Sequence, residues 1–197
     1  MLIMNYNAML RRNRQRKTNY RKREALLISR SSFVTVRISN QNVICQVSKP
    51  SSVGDIVICS AHSRELKKYG WKGSMNNLPA CYIIGYLLGK KSIEKGTNRA
   101  ILYSGKHAFT SRTAAALKGL IDAGLDVPVS KDILPTEERI RGRHIAEYAN
   151  ILKEDLEKYN TRFSSLLKDG LQPQDYPSHF EAILNRINKG EKNDNKI

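Results

Sequence analysis

Phe33-Val-Thr-Val-Arg-Ile38-Ser-Asn-Gln-Asn42-Val-Ile-Cys-Gln-Val47 decides the fold class. Val34, Val36 and Ile38 alternate with Thr35 and Arg37, the period of a half-buried strand. Ser39 to Asn42 is a polar turn. Val43, Cys45 and Val47 then alternate again, with Gln46 facing away. After a second turn at Lys49-Pro-Ser-Ser52, Ile56 to Cys59 reads as a third, more buried strand. Connections this short imply an antiparallel meander.

Downstream of the meander, Ala61 to Asn77 reads as a loop. Leu78 to Lys95 is apolar almost all round, which predicts a helix packed on the sheet and nearly covered. Ala100 to Tyr103 gives a fourth strand, completing a strand-helix-strand unit. Ala114, Leu117, Leu120 and Ile121 have helical spacing, and Gly124 stands where a helix C-cap belongs. Val127 begins a short fifth strand or extended piece. Pro135 and Thr136 start another helical region. There Ile145, Tyr148, Ala149, Leu152, Leu156, Tyr159, Phe163 and Leu166 form one long stripe, broken near Asn160. That stripe reads as core and domain packing. Phe180 to Ile187 is a short amphipathic stretch, and Asn188 onward reads as disordered.

Upstream lies half of the net charge. Lys plus Arg is 34 against 18 Asp plus Glu, a net +16. Between Arg11 and Arg30, nine basic residues face Glu24 alone, so +8 is concentrated there. Apolar residues before Leu26 are too sparse for a core. Residues 1–30 therefore read as a basic arm, disordered alone and helical from Tyr20 to Ile28 when bound. The three parts expected are the arm, an α/β domain at 31–130, and a helical extension at 131–197. The class is α/β: a three-layer domain with a mixed sheet.

Such a charge excess attracts polyanions. An anionic membrane fits poorly, because the arm has no amphipathic face and no apolar run is long enough to span a bilayer. Cys45, Cys59 and Cys81 sit among apolar neighbours with no CxxC pair, reading as core residues of a reducing compartment.

Chemistry of other kinds is missing or miscast. Gly85 to Ser92 has three residues between its glycines where a phosphate loop needs four, and it lies inside a helix. His144 and Glu147 lack the second histidine of a zinc helix. The meander plus strand-helix-strand resembles a ribonuclease H-like motif. Enzymes of that architecture hold metal ions on acids of the first strand, and Phe33 to Ile38 has none. No catalytic residue, metal or cofactor is expected.

Val57-Ile-Cys-Ser-Ala-His62-Ser-Arg-Glu-Leu-Lys-Lys-Tyr-Gly-Trp71-Lys-Gly73 closely resembles a family of 5S rRNA-binding proteins of the large ribosomal subunit, universal family eighteen, in its archaeal and eukaryotic form. Agreeing stretches, in order, are Lys17 to Arg23, Val36 to Asn40 with Gln46, Ala116 to Pro128, and Leu134 to Gly142 with His144. The resemblance implies a place in the central protuberance, in the cytoplasmic ribosome. It also implies contacts with 5S rRNA, large-subunit rRNA and neighbouring ribosomal proteins.

The residues expected on RNA follow from charge and position. In the arm they are Arg11, Arg12, Arg14, Arg16, Lys17, Arg21, Lys22, Arg23 and Arg30, which neutralise phosphates. Tyr20 either stacks on an unpaired base or anchors the arm to the domain. Arg37 faces the non-core side of its strand near Ser39 and Asn40. Lys106, Ser111 and Arg112 border a helix start that suits phosphate. His62, Arg64, Lys67, Lys68, Trp71 and Lys72 form a second basic patch, in which Trp71 is either core or RNA-facing. Two other readings stay open: an RNA-processing enzyme, and a generic basic interaction module.

Overall fold

A computed structural model describes residues 9–51, 53–105 and 108–190. Three strands form the expected meander: β1 (Ser32–Ile38), β2 (Val43–Lys49) and β3 (Ile56–His62). Val36 pairs with Cys45 and Cys45 with Ala61. A fourth strand, β4 (Ala100–Leu102), lies parallel to β1, so the mixed sheet runs β3-β2-β1-β4. The turn after β1 closes on itself: Ser39 N donates to Asn42 O at 2.8 Å, and Ser39 Oγ accepts from Asn42 N at 2.9 Å.

Before the sheet come two helices, α1 (Arg11–Arg14) and α2 (Tyr20–Ile28). Between β3 and β4 runs α3 (Leu78–Glu94), capped by Asn77 Oδ1 accepting from Ala80 N. After β4 comes α4 (Ser111–Asp122), capped by Thr110. Gly124 ends it with φ +100°, a backbone state that side chains resist. The two helices cross at glycines. A Cβ on Gly85 would lie 2.0 Å from Ala116 O, and one on Gly119 would lie 2.2 Å from Tyr82 O. The glycines of the false phosphate loop are thus packing residues.

The C-terminal part holds α5 (Glu137–Ile140), α6 (Arg143–Ile151), α7 (Leu156–Lys168) and α8 (Tyr176–Lys189). With the sheet as one layer and α3 and α4 as the second, these helices make the third. Val34, Val36, Cys45 and Val47 on the sheet, Ile83, Ile84, Leu87 and Leu88 on α3, and Leu117 and Leu120 on α4 share one apolar cluster with Tyr176, Phe180, Ile183 and Ile187 on α8. All three cysteines are buried and free, and burial pushes the Cys81 thiol up to about 12.

Several expectations change. β3 is an edge strand rather than the more buried one: Ile56 and Val57 are 62% and 51% exposed, and a register shift opposite Val47 and Ser48 re-phases it. Most of the expected loop 61–77 is ordered differently. β3 runs to His62, and Ser63–Tyr69 is a 3-10 helix. Near Val127 the extended-piece alternative holds, with one bridge, Arg99 to Asp126. The 145–166 stripe breaks at Leu152–Glu154 instead of Asn160, because Asp155 caps a new helix by accepting from Lys158 N. The stripe also divides: Ala149 and Phe163 are buried, whereas Tyr148 and Leu156 are exposed, as is Ile151 beside it. Asn188 and Lys189 belong to α8; residues 191–197, read as disordered, lie outside the described residues.

Candidate nucleic-acid interface

The arm is folded back on itself. Arg12 Nε donates to Thr18 Oγ1 at 2.9 Å, and the backbone N–H groups of Lys17 and Thr18 both reach Arg12 O. Arg16 takes the left-handed conformation needed to reverse the chain (φ 53°), and Thr18 is buried beneath. Asn19 then caps α2 by accepting from Lys22 N at 3.2 Å. Residues 9–30 of the arm are therefore folded where disorder was expected; its residues 1–8 lie outside the described residues. Local capping, which composition does not register, builds the helix expected only with RNA.

Arg23 on α2 reaches across to the loop before β3. Its Nη2 pairs with Asp55, and its guanidinium lies 5.8 Å from the centre of the Tyr103 ring. Tyr103, just past β4, packs on Phe33 at 5.8 Å. The hydrogen bond to Asp55 raises the Arg23 pKa above its ordinary value, outweighing the partial burial that lowers it.

Between arm and sheet lies a cleft of about 1390 Å³. Arg12, Arg16, Lys17, Arg23 and Arg37 line it, with Asp55 as the acid among them, together with Tyr20, Thr35, Tyr103 and the bare backbone of Gly54 and Gly105. The cleft thus gathers six of the expected residues. Arg11, Arg14, Arg21, Lys22 and Arg30 are exposed outside it.

Strand alternation extends this surface across the sheet. Thr35 is in register with Gln46 and Gln46 with Ser60; Arg37 is in register with Ile44 and Ile44 with His62. These residues alternate with Val36, Cys45 and Ala61, which are in the core, so they occupy the opposite face. Two strand spacings, about 10 Å, separate Arg37 from His62. The polar sheet face therefore joins the cleft to the start of the second basic patch.

In that patch Arg64, Lys67, Lys68 and Lys72 are exposed. His62 caps the 3-10 helix: its Nδ1 accepts from Arg64 N, and its own N–H donates to Glu65 Oε1. Trp71 is core. It is 4% exposed, stacks at 5.2 Å on His179 and meets Tyr176 edge-on, so it presents no face to RNA. Its burial depends on α8, far away in sequence. Ser39 and Asn40 stay at an exposed turn, where their carbonyls accept from Asn76 Nδ2. Ser111 is exposed at the start of α4, while Arg112 is half-buried with Nη1 directed at Asn76 O, 3.4 Å away. Lys106 lies outside the described residues.

Sequence reasoning missed Asp55, Tyr103 and Thr18. The signal for Asp55 was present: an acid alone in a loop of a strongly basic chain. Among the described residues no group of three or more His, Cys, Asp or Glu is placed to hold a metal ion, and no helix is long and apolar enough to cross a membrane.

A family model described as "Ribosomal large subunit proteins 60S L5, and 50S L18" matches residues 4–112. The chain belongs to this ribosomal protein family. It is similar to the large ribosomal subunit protein uL18 of Thermofilum pendens, with 46% identity over 185 residues, covering 92% of this chain and 94% of the relative. The protein of the same name from Saccharolobus solfataricus is 47% identical over 187 residues (93% and 94%), and that from Sulfurisphaera tokodaii 45% over 190 (94% and 96%). Every residue lining the cleft of this ribosomal protein falls inside the span of the family match. The longer alignments also take in the C-terminal helices.

Proposed function

We propose that this large-subunit ribosomal protein binds 5S rRNA and anchors it in the central protuberance, using the cleft, the polar sheet face and the 62–72 patch as one footprint. The observation that carries the reading is the cleft, in which five cations and two tyrosines surround a space open to solvent. Cations on phosphate supply affinity without sequence information. The tyrosines suit unstacked bases of loops or bulges, which is where proteins read RNA. Tyr20 lines the cleft and so is offered as a base platform.

The three parts keep separate roles in this reading: 1–30 and 31–130 hold 5S rRNA, and 131–197 meets large-subunit rRNA and neighbouring ribosomal proteins. The exposed Tyr148, Ile151 and Leu156 suit a protein neighbour. The chain acts as a structural constituent and not as an enzyme, since β1 offers no carboxylate for a metal-assisted cleavage. The test is a gel-shift titration at near-physiological salt with 5S rRNA and tRNA. Clear preference for 5S rRNA is expected; equal affinity would leave only a polycation. Metal-dependent RNA cleavage that survives repurification would overturn the non-enzymatic role.

A further inference from the structure

We propose that Asp55 and Arg23 form a clamp that holds α2 against the sheet domain and so sets the shape of the RNA cleft before RNA arrives. Asp55 is then a positioning residue for RNA binding, and Arg23 serves first as its partner rather than as a phosphate contact. This rests on the reading of the cleft as the rRNA site.

Three observations support it. First, among the described residues Arg23, through Asp55 above all, is the one side chain whose ion pair or hydrogen bond links residues 9–30 to anything beyond residue 31. Second, the pair is tied to its surroundings: both side chains are partly shielded, at 24% and 31% exposed, and the guanidinium also lies over Tyr103, itself against Phe33. Third, no residue of α2 is buried, so the helix has little apolar surface to hold it in place without the clamp. Both chain reversals that set the angle of α2, at Arg16 and Arg30, are in the left-handed region that non-glycine residues resist, with φ 53° and 51°. A helix held this way stays in the binding geometry only while its clamp is closed. Apparent affinity falls in proportion to the fraction of molecules that remain closed.

The proposal makes a prediction opposite in sign to simple charge counting. Asp55 is an acid in a cationic cleft, so removing it by Asp55→Asn would tighten RNA binding if only net charge mattered. A clamp predicts weaker binding, by about three- to five-fold, the range open to an exposed ion pair acting through preorganisation. The slope of log K against log salt should not change, because no phosphate contact is removed. Asp55→Glu, which keeps the carboxylate, should return most of the affinity. In free full-length protein, amide hydrogen exchange at residues 20–28 should quicken in Asp55→Asn and not in Asp55→Glu.

The probe is a 5S rRNA transcript, with tRNA as the comparison. Equal or tighter binding by Asp55→Asn, with wild type still preferring 5S rRNA, would overturn the clamp's role in affinity. Unchanged exchange in α2 would overturn the clamp itself. Absence of 5S preference in wild type would instead sink the rRNA reading of the cleft, leaving the exchange experiment to decide whether Asp55 holds the helix.

Discussion

Residues 9–30 and residues 137–189 are appended to the same α/β domain, and they are fastened to it by different forces. The arm is joined through Arg23 and Asp55, with α2 burying no residue. The C-terminal part is joined through Tyr176, Phe180, Ile183 and Ile187, all within 5% of full burial, and through polar ties at the edges. Those ties include Lys90 Nζ to Ile187 O, Arg186 Nη1 to Tyr69 O, and Asn77 Nδ2 to Tyr176 Oη. Apolar burial is non-directional and survives salt, whereas an exposed ion pair contributes little and is screened. One flank is thus packed as core, and the other is held at the surface by a polar clamp.

The largest expected effect tests the fixed side. Phe180→Ala removes a ring that is 2% exposed and packs on Tyr82 at 5.7 Å. It should cost about 3–5 kcal/mol in urea unfolding. Deleting residues 1–28 should shift stability by no more than about 1 kcal/mol, the range of an exposed pair. Similar losses from both would erase the contrast.

The arm deletion should instead register in RNA binding. Three cleft cations other than Arg23 belong to the arm, namely Arg12, Arg16 and Lys17. At ~0.7–0.9 per phosphate, their loss flattens the slope of log K against log salt by roughly 2 to 3. An unchanged slope would move the main contacts to the sheet face and the 62–72 patch.

A smaller effect concerns pH, and it belongs to the C-terminal flank alone. His179 Nε2 accepts from Lys72 N at 3.2 Å, and its ring stacks on Trp71. Burial lowers its pKa from the ordinary histidine value, and the charges of Lys72 and Arg186 lower it further. The unfolded chain therefore takes up the proton more readily than the folded one. The stability from the neutral ring is present above the unfolded pKa, about 6.5, and is lost as pH falls through the folded value. His179→Gln should flatten the fall in melting temperature below that pH; an equally steep fall would mean that other groups cause it. Smallest of all, Arg30→Gly relieves a left-handed arginine and should change global stability by less than about 1 kcal/mol, read by chemical denaturation.

What the sequence disclosed, and what it hid, follow the same division. Alternation at Val34–Ile38 and Val43–Val47 was readable because each strand has one core face and one polar face. Gly124 was readable because a left-handed C-cap selects it. The edge position of β3 was not, since Ile56 and Val57 look the same whether or not a neighbour covers them. Trp71 looked ambiguous because the residues that bury it come from α8. In the cleft, Arg37 could be assigned to the outer face from strand period alone. The Arg23–Asp55 pair joins residues 32 apart, beyond any local pattern. The helices of the arm were legible only in part: Tyr20–Ile28 had the right bounds, but dense positive charge concealed the Asn19 cap that lets it form without RNA.

Trp71 is the chain's single tryptophan, and its indole waits for partners such as His179, whose ring accepts from the neighbouring Lys72 across 107 residues. Translation delivers the sheet and α3 long before α8. During that interval the indole and the side of α3 that later receives Phe180 face water on a nascent chain already carrying most of its positive charge. Among the described elements α8 is thus the last to emerge and the one that covers the indole, and the blue shift of one fluorophore marks the moment it docks.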